Sequence, residues 1–215
     1  MCGRYMLYYD KDVIIDAFNL ENDFDYDERF NIAPSQQVLS VIKASTGNRA
    51  GYMKWGLVPG WAKDPKIGNK LMNARSETVS DKPSFKDSFH QKRCLIPASG
   101  FYEWVAEDDS TKKYPLQFSL KDKKPFAFAG IWSRWIGEVN GQQEERITCS
   151  ILTKASNASM IKYHHRMPVM LEPMAGEEWL NRSAGKDKLL AILKDNDPEL
   201  FAEQVTLNLS VHRTN

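Results

Sequence analysis

The chain is short of cysteine, of histidine and of charge imbalance, and each shortage narrows what it can be. Its three cysteines, Cys2, Cys94 and Cys149, are widely spaced, with neither the CxxC pairs of a zinc site nor the even count of a disulfide framework. Reduced thiols are the expectation. Four histidines, of which only His164 and His165 are adjacent, make no metal-ligating pattern, so neither a metal nor a cofactor is expected. The 29 Lys and Arg stand against 28 Asp and Glu, which leaves no global electrostatic signature of a nucleic-acid binder. Any DNA site therefore has to be a local patch. No run approaches the roughly 18 apolar residues that span a bilayer, and the opening MCGRYMLYYD has no apolar signal region. A soluble cytoplasmic protein with no membrane partner follows. Repeats, low-complexity tracts and shifts of composition are also missing, so residues 1–215 are expected to form one domain.

What is present is β-rich. The runs GRYMLYY, QVLSVIK, RAGYMKWG, RCLIPA, GFYEWV, YPLQFSL, PFAFAGIW and ITCSILT combine β-branched and aromatic residues between turn formers, and read as strands. Helical spacing is confined to Lys11 to Phe18, Pro83 to His90, Met174 to Leu180 and Lys186 to Leu193. The pattern predicts an α+β fold with a mostly antiparallel core. The polar stretches Ala106 to Lys113 and Gly137 to Glu145 read as surface hairpin ends. Cys94 and Cys149 lie inside apolar strand runs and read as buried structural thiols, while His90 and His212 read as surface residues.

Six islands concentrate reactive or rigid residues: MCGRY at the start, NIAP at Asn31 to Pro34, WGLVPGWAKD at Trp55 to Asp64, MNARSET at Met72 to Thr78, PASGFYEW at Pro97 to Trp104, and HHRMPV at His164 to Val169. Taken singly, each has an ordinary reading: Asn73 as a turn or helix cap, Glu103 as an exposed strand residue, Cys2 as incidental. In this order they resemble the SRAP family, the SOS-response-associated peptidases and abasic-site processing proteins, up to about Val169; Met170 to Asn215 adds little specific. The resemblance implies a barrel-like β core flanked by short helices. It also implies a Cys2 nucleophile with Asn73, Glu103 and His164 as companions, and a monomer acting on abasic sites in single-stranded DNA near the nucleoid or replication fork. His164 is preferred to His165 because the family pattern is His, one variable residue, then Arg-Met-Pro.

The chemistry of Cys2 stands apart from that likeness. If Met1 is removed, Cys2 becomes a 1,2-aminothiol, which condenses with an aldehyde first to a Schiff base and then to a five-membered thiazolidine. A ring-opened abasic deoxyribose supplies such an aldehyde. An α-amine, with a reference pKa of about 7.7 to 8.0, keeps a neutral fraction at neutral pH, whereas a thiol near about 8.5 needs help. Asn73 is expected to orient the amine or thiol, Glu103 to shuttle protons, and His164 to protonate the sugar ring oxygen. His165 is expected to point away from His164 if the segment is extended.

Single strands are held by cations on phosphates and aromatic groups on bases. Arg4, Arg75 and Arg166 are the expected phosphate ligands, joined by Lys63 and by Trp61, whose indole either stacks on a base or belongs to the core. Trp55 reads as core. Asn31 and Pro34 are expected to wall the cleft, with Asn31 reaching a nucleotide. Two other functions fit the same residues: a thiol peptidase built on Cys2, His164 and Glu103, with removal of Met1 as its possible extent, and a non-covalent single-strand binding module that does not use Cys2.

Overall fold

The computed structural model describes residues 2–106 and 113–206. Met1, His212 and most of the Ala106 to Lys113 stretch lie outside them. In chain order the strands are β1 (Tyr5–Leu7), β2 (Arg29–Ile32), β3 (Gln37–Lys43), β4 (Asn48–Trp55), β5 (Asn73–Arg75), β6 (Arg93–Ala98), β7 (Gly100–Ala106), β8 (Lys113–Leu120), β9 (Phe126–Val139), β10 (Gln142–Ala155), β11 (Arg166–Pro168), β12 (Met170–Leu171) and β13 (Leu200–Gln204). The helices are α1 (Lys11–Phe18), α2 (Lys86–Gln91), α3 (Pro173–Leu180) and α4 (Lys186–Asp195), with a 3-10 turn at Pro65–Lys70. All four expected helices form, within a few residues at their ends. Among the described residues no helix is long and apolar enough to cross a membrane.

The core is a closed barrel. Strand β3 pairs with β4 and β6, β6 with β9, β9 with β10, and β10 with β4, which returns the ring to its start through five strands. All of these pairings are antiparallel except β10 with β4. Closure removes the open edges that a flat sheet of such apolar strands would expose. Strand β6 is buried at every residue, and β9 from Phe126 to Ile131, because the barrel interior covers one face and the helices the other. Helix α3 seals that outer face: Trp179 Nε1 donates to the carbonyls of Cys94 (3.1 Å) and Gly130 (3.2 Å). A Cβ on Gly176 would sit 2.9 Å from Leu95 Cδ1, so a larger residue there would require Leu95 to shift.

The β9–β10 hairpin is longer than the sequence pattern suggests. Gly137 to Glu145 is mostly ladder, because Asn140 (φ 52°) and Gly141 (φ 79°) turn the chain in two residues and Val139 pairs directly with Gln142. A second sheet, in the order β13-β8-β7-β1-β2, packs on the barrel. Its contact is aromatic: Tyr5 meets Trp55 and Phe128 edge-on, each at 5.5 Å, and Phe101 meets Phe128 edge-on at 6.3 Å. Such pairs contribute about 1 kcal/mol each beyond their buried area, enough to fix how the two sheets meet. Cys94, Cys149 and Trp55 are buried in this core, as expected.

Candidate active site

The seam between the two sheets gathers the reactive residues. Strand β1 pairs with β7 at Tyr5 with Phe101 and Met6 with Gly100, and Tyr102 N donates to Arg4 O at 2.9 Å. Continuing that ladder toward the amino terminus brings Cys2 into the electrostatic reach of Glu103. Cys2 is wholly buried, with Sγ 4.0 Å from Arg4 O. Burial pushes its thiol far above the ordinary cysteine range, and the neighbouring Glu103 carboxylate pushes the same way. The buried side chain is therefore a thiol, not a thiolate, at neutral pH.

Asn73 arrives from the barrel side. Strand β5 lies parallel to β10, Asn73 opposite Ile151, and Asn73 Nδ2 donates to the main-chain carbonyl of Cys2 at 2.9 Å. The residue thus grips the backbone of Cys2, while its own Oδ1 is buried without a hydrogen bond among the described residues. Within MNARSET, Asn73–Arg75 is a strand rather than a helix entry, because β10 offers a free edge beyond the end of β4, and turns follow from Ser76. Glu103, on β7 opposite Leu116, is only 6% exposed.

His164 closes a run of turns and leads into β11, which flanks the same end of β10 on the edge opposite β5. The preceding Tyr163 is fixed edge-on against Phe118 at 5.3 Å. His164 Nδ1 lies 2.9 Å from both the N–H and the carbonyl of Arg166. Whether Nδ1 accepts from that N–H or donates to that carbonyl depends on the tautomer, and either bond fixes the orientation of the ring. The expectation for His165 fails: its ring stacks on His164 at 4.5 Å with 21° between planes. The segment is a turn at this point, so the alternation of an extended strand does not apply.

The expected phosphate ligands differ in their freedom. Arg4 Nη1 donates to Asn31 Oδ1 at 2.8 Å, across the β1–β2 pairing of Tyr5 with Ile32. Pro34 follows in the half-buried loop after β2, before Ser35 at φ 71°. Arg75 is exposed on β5, opposite Thr153. Arg166 is answered already: its guanidinium binds both Glu77 oxygens (2.6 and 3.0 Å) and the Thr153 carbonyl (2.6 Å). Burial works to raise the Glu77 carboxyl, but the Arg166 hydrogen bond and charge outweigh it and hold it below the usual range. Glu77 lies 89 residues from its partner, and no local pattern in MNARSET singles it out.

Trp61 and Lys63 sit elsewhere along the barrel. Trp61 is 58% exposed, which rules out the core reading, and its Nε1 lies 3.4 Å from Pro83 O; Lys63 is also exposed. Their loop is anchored on the β9–β10 hairpin, where Trp135 Nε1 donates to Ala62 O at 2.7 Å. A cavity of about 570 Å³ opens beside Glu77 between β10 and α4, and none of Cys2, Asn73, Glu103 and His164 lines it. Among the described residues no group of three or more His, Cys, Asp or Glu could hold a metal ion.

Asn73→Ala is expected to leave the melting temperature within a few degrees and to slow reaction at Cys2 by about tenfold, through loss of one neutral hydrogen bond of about 1 kcal/mol plus the misplacement it allows. Single-turnover rates beside a thermal melt would check it, and a rate equal to that of the parent would remove Asn73 from the site.

The model of the SOS response associated peptidase (SRAP) family matches residues 1–210. The chain belongs to the SRAP family. The match runs well past Val169, where the recognisable motifs end, so the C-terminal helices and β13 are part of the family's fold. Among similar SRAP proteins are abasic site processing protein YoqW of Bacillus subtilis (strain 168), 42% identical over 203 residues, covering 93% of this chain and 89% of that one. Abasic site processing protein YedK of Escherichia coli (strain K12) is 30% identical over 194 residues, covering 87% and 83%. A crystal structure of a protein from Bacteroides thetaiotaomicron superposes with a TM-score of 0.83 at 27% identity, covering 95% of this chain and 92% of that one.

Proposed function

We propose that this SRAP chain captures abasic sites in single-stranded DNA through a covalent bond to Cys2 once Met1 has been removed. The observation that carries the reading is the bond from Asn73 to the main-chain carbonyl of Cys2. A thiol nucleophile alone needs only its sulfur placed; a group that holds the backbone of residue 2 also places the α-amine that Met1 removal would expose. The raised thiol pKa argues the same way, since a thiol peptidase of the Cys–His kind works from a thiolate with a lowered pKa. The relatives that carry the name abasic site processing protein supply the substrate class.

The steps balance without a cofactor. His164 donates a proton to the deoxyribose ring oxygen, opening the sugar to its C1′ aldehyde. The neutral α-amine of Cys2 adds to C1′, and the carbinolamine loses one water to form the imine. Sγ then adds to C1′ as its proton passes through Glu103 to the imine nitrogen, closing the thiazolidine, in which C1′ carries both nitrogen and sulfur. The proton His164 gives to the ring oxygen is matched by the one the C1′ hydroxyl loses on opening. The net change is one C–N and one C–S bond formed at C1′, both C1′–O bonds broken and one water released. Glu103 suits this transfer because its carboxylate already acts on the Cys2 thiol. Arg4 and Arg75 flank the captured nucleotide as phosphate ligands, Arg166 joins them where it can leave Glu77, and Asn31 acts through Arg4.

A chain made to begin Gly-Cys separates capture from peptidase chemistry, because it keeps the thiol and loses the 1,2-aminothiol. Incubation with abasic single-stranded DNA is expected to yield no adduct on a denaturing gel, against near-complete conversion for the chain beginning at Cys2. Equal conversion of both would show that the amine takes no part and sink the thiazolidine.

A further inference from the structure

The end of β4, the Pro65–Lys70 turn and the beginning of β10 enclose a small cavity of about 180 Å³ that the chemistry at Cys2 leaves unexplained. Ser35, Lys54, Gly56, Lys66, Asn69 and Arg146 are on its walls, and no Asp or Glu is. Among the described residues neither Lys54 nor Lys66 forms an ion pair. Arg146 is held in place from outside the cavity: Glu144 binds its Nε and Nη2 at 2.8 and 2.6 Å, and its guanidinium lies 5.6 Å from the Trp135 ring centre. Nη1 is left without a hydrogen bond among the described residues.

Two glycines let the Pro65–Lys70 turn lie against the end of β4. Gly56 has φ +130°, and a Cβ on Gly68 would sit 2.6 Å from Gly56 O, so the backbones approach as no other residue pair would allow. Lys54 and Lys66 face a polar hollow with no lining carboxylate, Arg146 adds a guanidinium whose Nη1 is still open, and the hydroxyl of Ser35 and amide of Asn69 add neutral hydrogen-bond donors. A phosphate has the size, charge and acceptor count for that set.

We propose that this cavity is a phosphate-binding site and that its occupant is a backbone phosphate of the bound strand, at a nucleotide beside the captured one. This rests on the reading of the chain as a single-strand DNA capture protein. Along β10, Lys54 pairs with Thr148 and Asn73 with Ile151, three residues further on, which is about 10 Å at about 3.3 Å per residue and places the two side chains on opposite faces of the sheet. Trp55 joins the two places: it lines the cavity, and its Nε1 donates to Met72 O at 2.8 Å, next to Asn73. Ser35 lies directly after Pro34, on the loop that leaves the Arg4–Asn31 pair.

The test replaces Lys54 and Lys66 together by alanine and compares this chain with Lys121→Ala/Lys188→Ala, which loses the same charge outside the cavity. The affinity of each for single-stranded DNA without a lesion is measured across a salt series, so that the result does not depend on covalent chemistry at Cys2. The slope of log affinity against log salt is expected to fall in magnitude by about 0.7 for the cavity variant, one phosphate contact on a single strand, and to stay unchanged for the control. Inorganic phosphate is expected to shift the amide resonances of Gly56 and Asn69 in the parent and not in the cavity variant. Equal slopes in the two double variants would overturn the assignment to DNA, even if phosphate shifts persisted, since the cavity would then hold a free phosphate. Absence of both effects would overturn the site itself. Loss of the Cys2 adduct with the salt response intact would instead count against capture and leave the cavity standing.

Discussion

Cys2→Ala is expected to abolish the denaturation-resistant DNA adduct while leaving an imine that borohydride can trap. Alanine at position 2 keeps the α-amine and the carbonyl that Asn73 grips, and removes only the sulfur that would close the ring. The buried thiol has the volume of little more than a methyl group, so its loss costs about 1 kcal/mol of packing and the chain should still fold. Intact mass spectrometry after incubation with a single-stranded oligonucleotide carrying one abasic site distinguishes the species. The parent should gain the mass of the DNA, less Met1 and less one water. The alanine variant should gain nothing without reductant, and after reduction should gain the DNA less one water plus two hydrogens. A stable unreduced adduct on Cys2→Ala would move the covalent chemistry to another residue. No adduct on a parent confirmed to begin at Cys2 would end the capture reading and favour passive binding or peptidase activity.

The largest effect on stability is expected at Arg93, far from the reactive residues in chemistry though not in the fold. This buried guanidinium faces no carboxylate. It donates instead to four main-chain carbonyls: Trp179 (2.8 Å), Phe89 (2.9 Å), His90 (2.6 Å) and Asn181 (2.8 Å). All four lie where α2 and α3 end, so one side chain caps two helices and ties both to β6, while Asn181 O also accepts from Ala184 N at 3.1 Å. Burial lowers its pKa from the ordinary arginine value, and the nearby Arg182 adds to this, yet a guanidinium stays charged through the neutral range. Arg93→Ala removes the guanidinium donor from all four carbonyls, of which Asn181 O keeps Ala184 N, and is expected to cost about 3 kcal/mol. For a chain of this length that lowers the melting temperature by about 6–12 °C. Arg93→Lys should recover less than half, because a single ammonium cannot reach both helix ends. A calorimetric scan showing either variant within 2 °C of the parent, in the sense of about 2 kcal/mol less than expected for the alanine form, would show that water replaces the guanidinium there.

The expected strands and helices appear where the side-chain spacing placed them because amphipathic period is a local property. Lys11–Phe18 forms as read, since Ile14 and Phe18 fall on one helical face and both are buried. Strands too short to carry a period went unread. Strand β5 has three residues and β12 two, and each exists only because a neighbour offers an edge: β10 for Asn73–Arg75, β9 for Met170–Leu171. The same holds for β2 and β13, which complete the second sheet at its two edges.

For the site, the residue types and their order were sufficient to nominate Cys2, Asn73 and Glu103, because the chemistry of an aminothiol and the order of the motifs are both written along the chain. Which partner each would meet was not. Arg166 looked like a free cation until the fold set Glu77 against it, and His165 looked averted until a turn stacked it on His164. Sequence alone determined a cysteine-poor α+β chain of the SRAP type and nominated Cys2. Only the tertiary structure decided that β10 would touch four other strands, that the barrel would close, and that Lys54, Lys66 and Arg146 would share one cavity. Spacing along a chain governs contacts within a few residues, whereas these depend on pairings between segments tens of residues apart, which the burial of the whole core selects together.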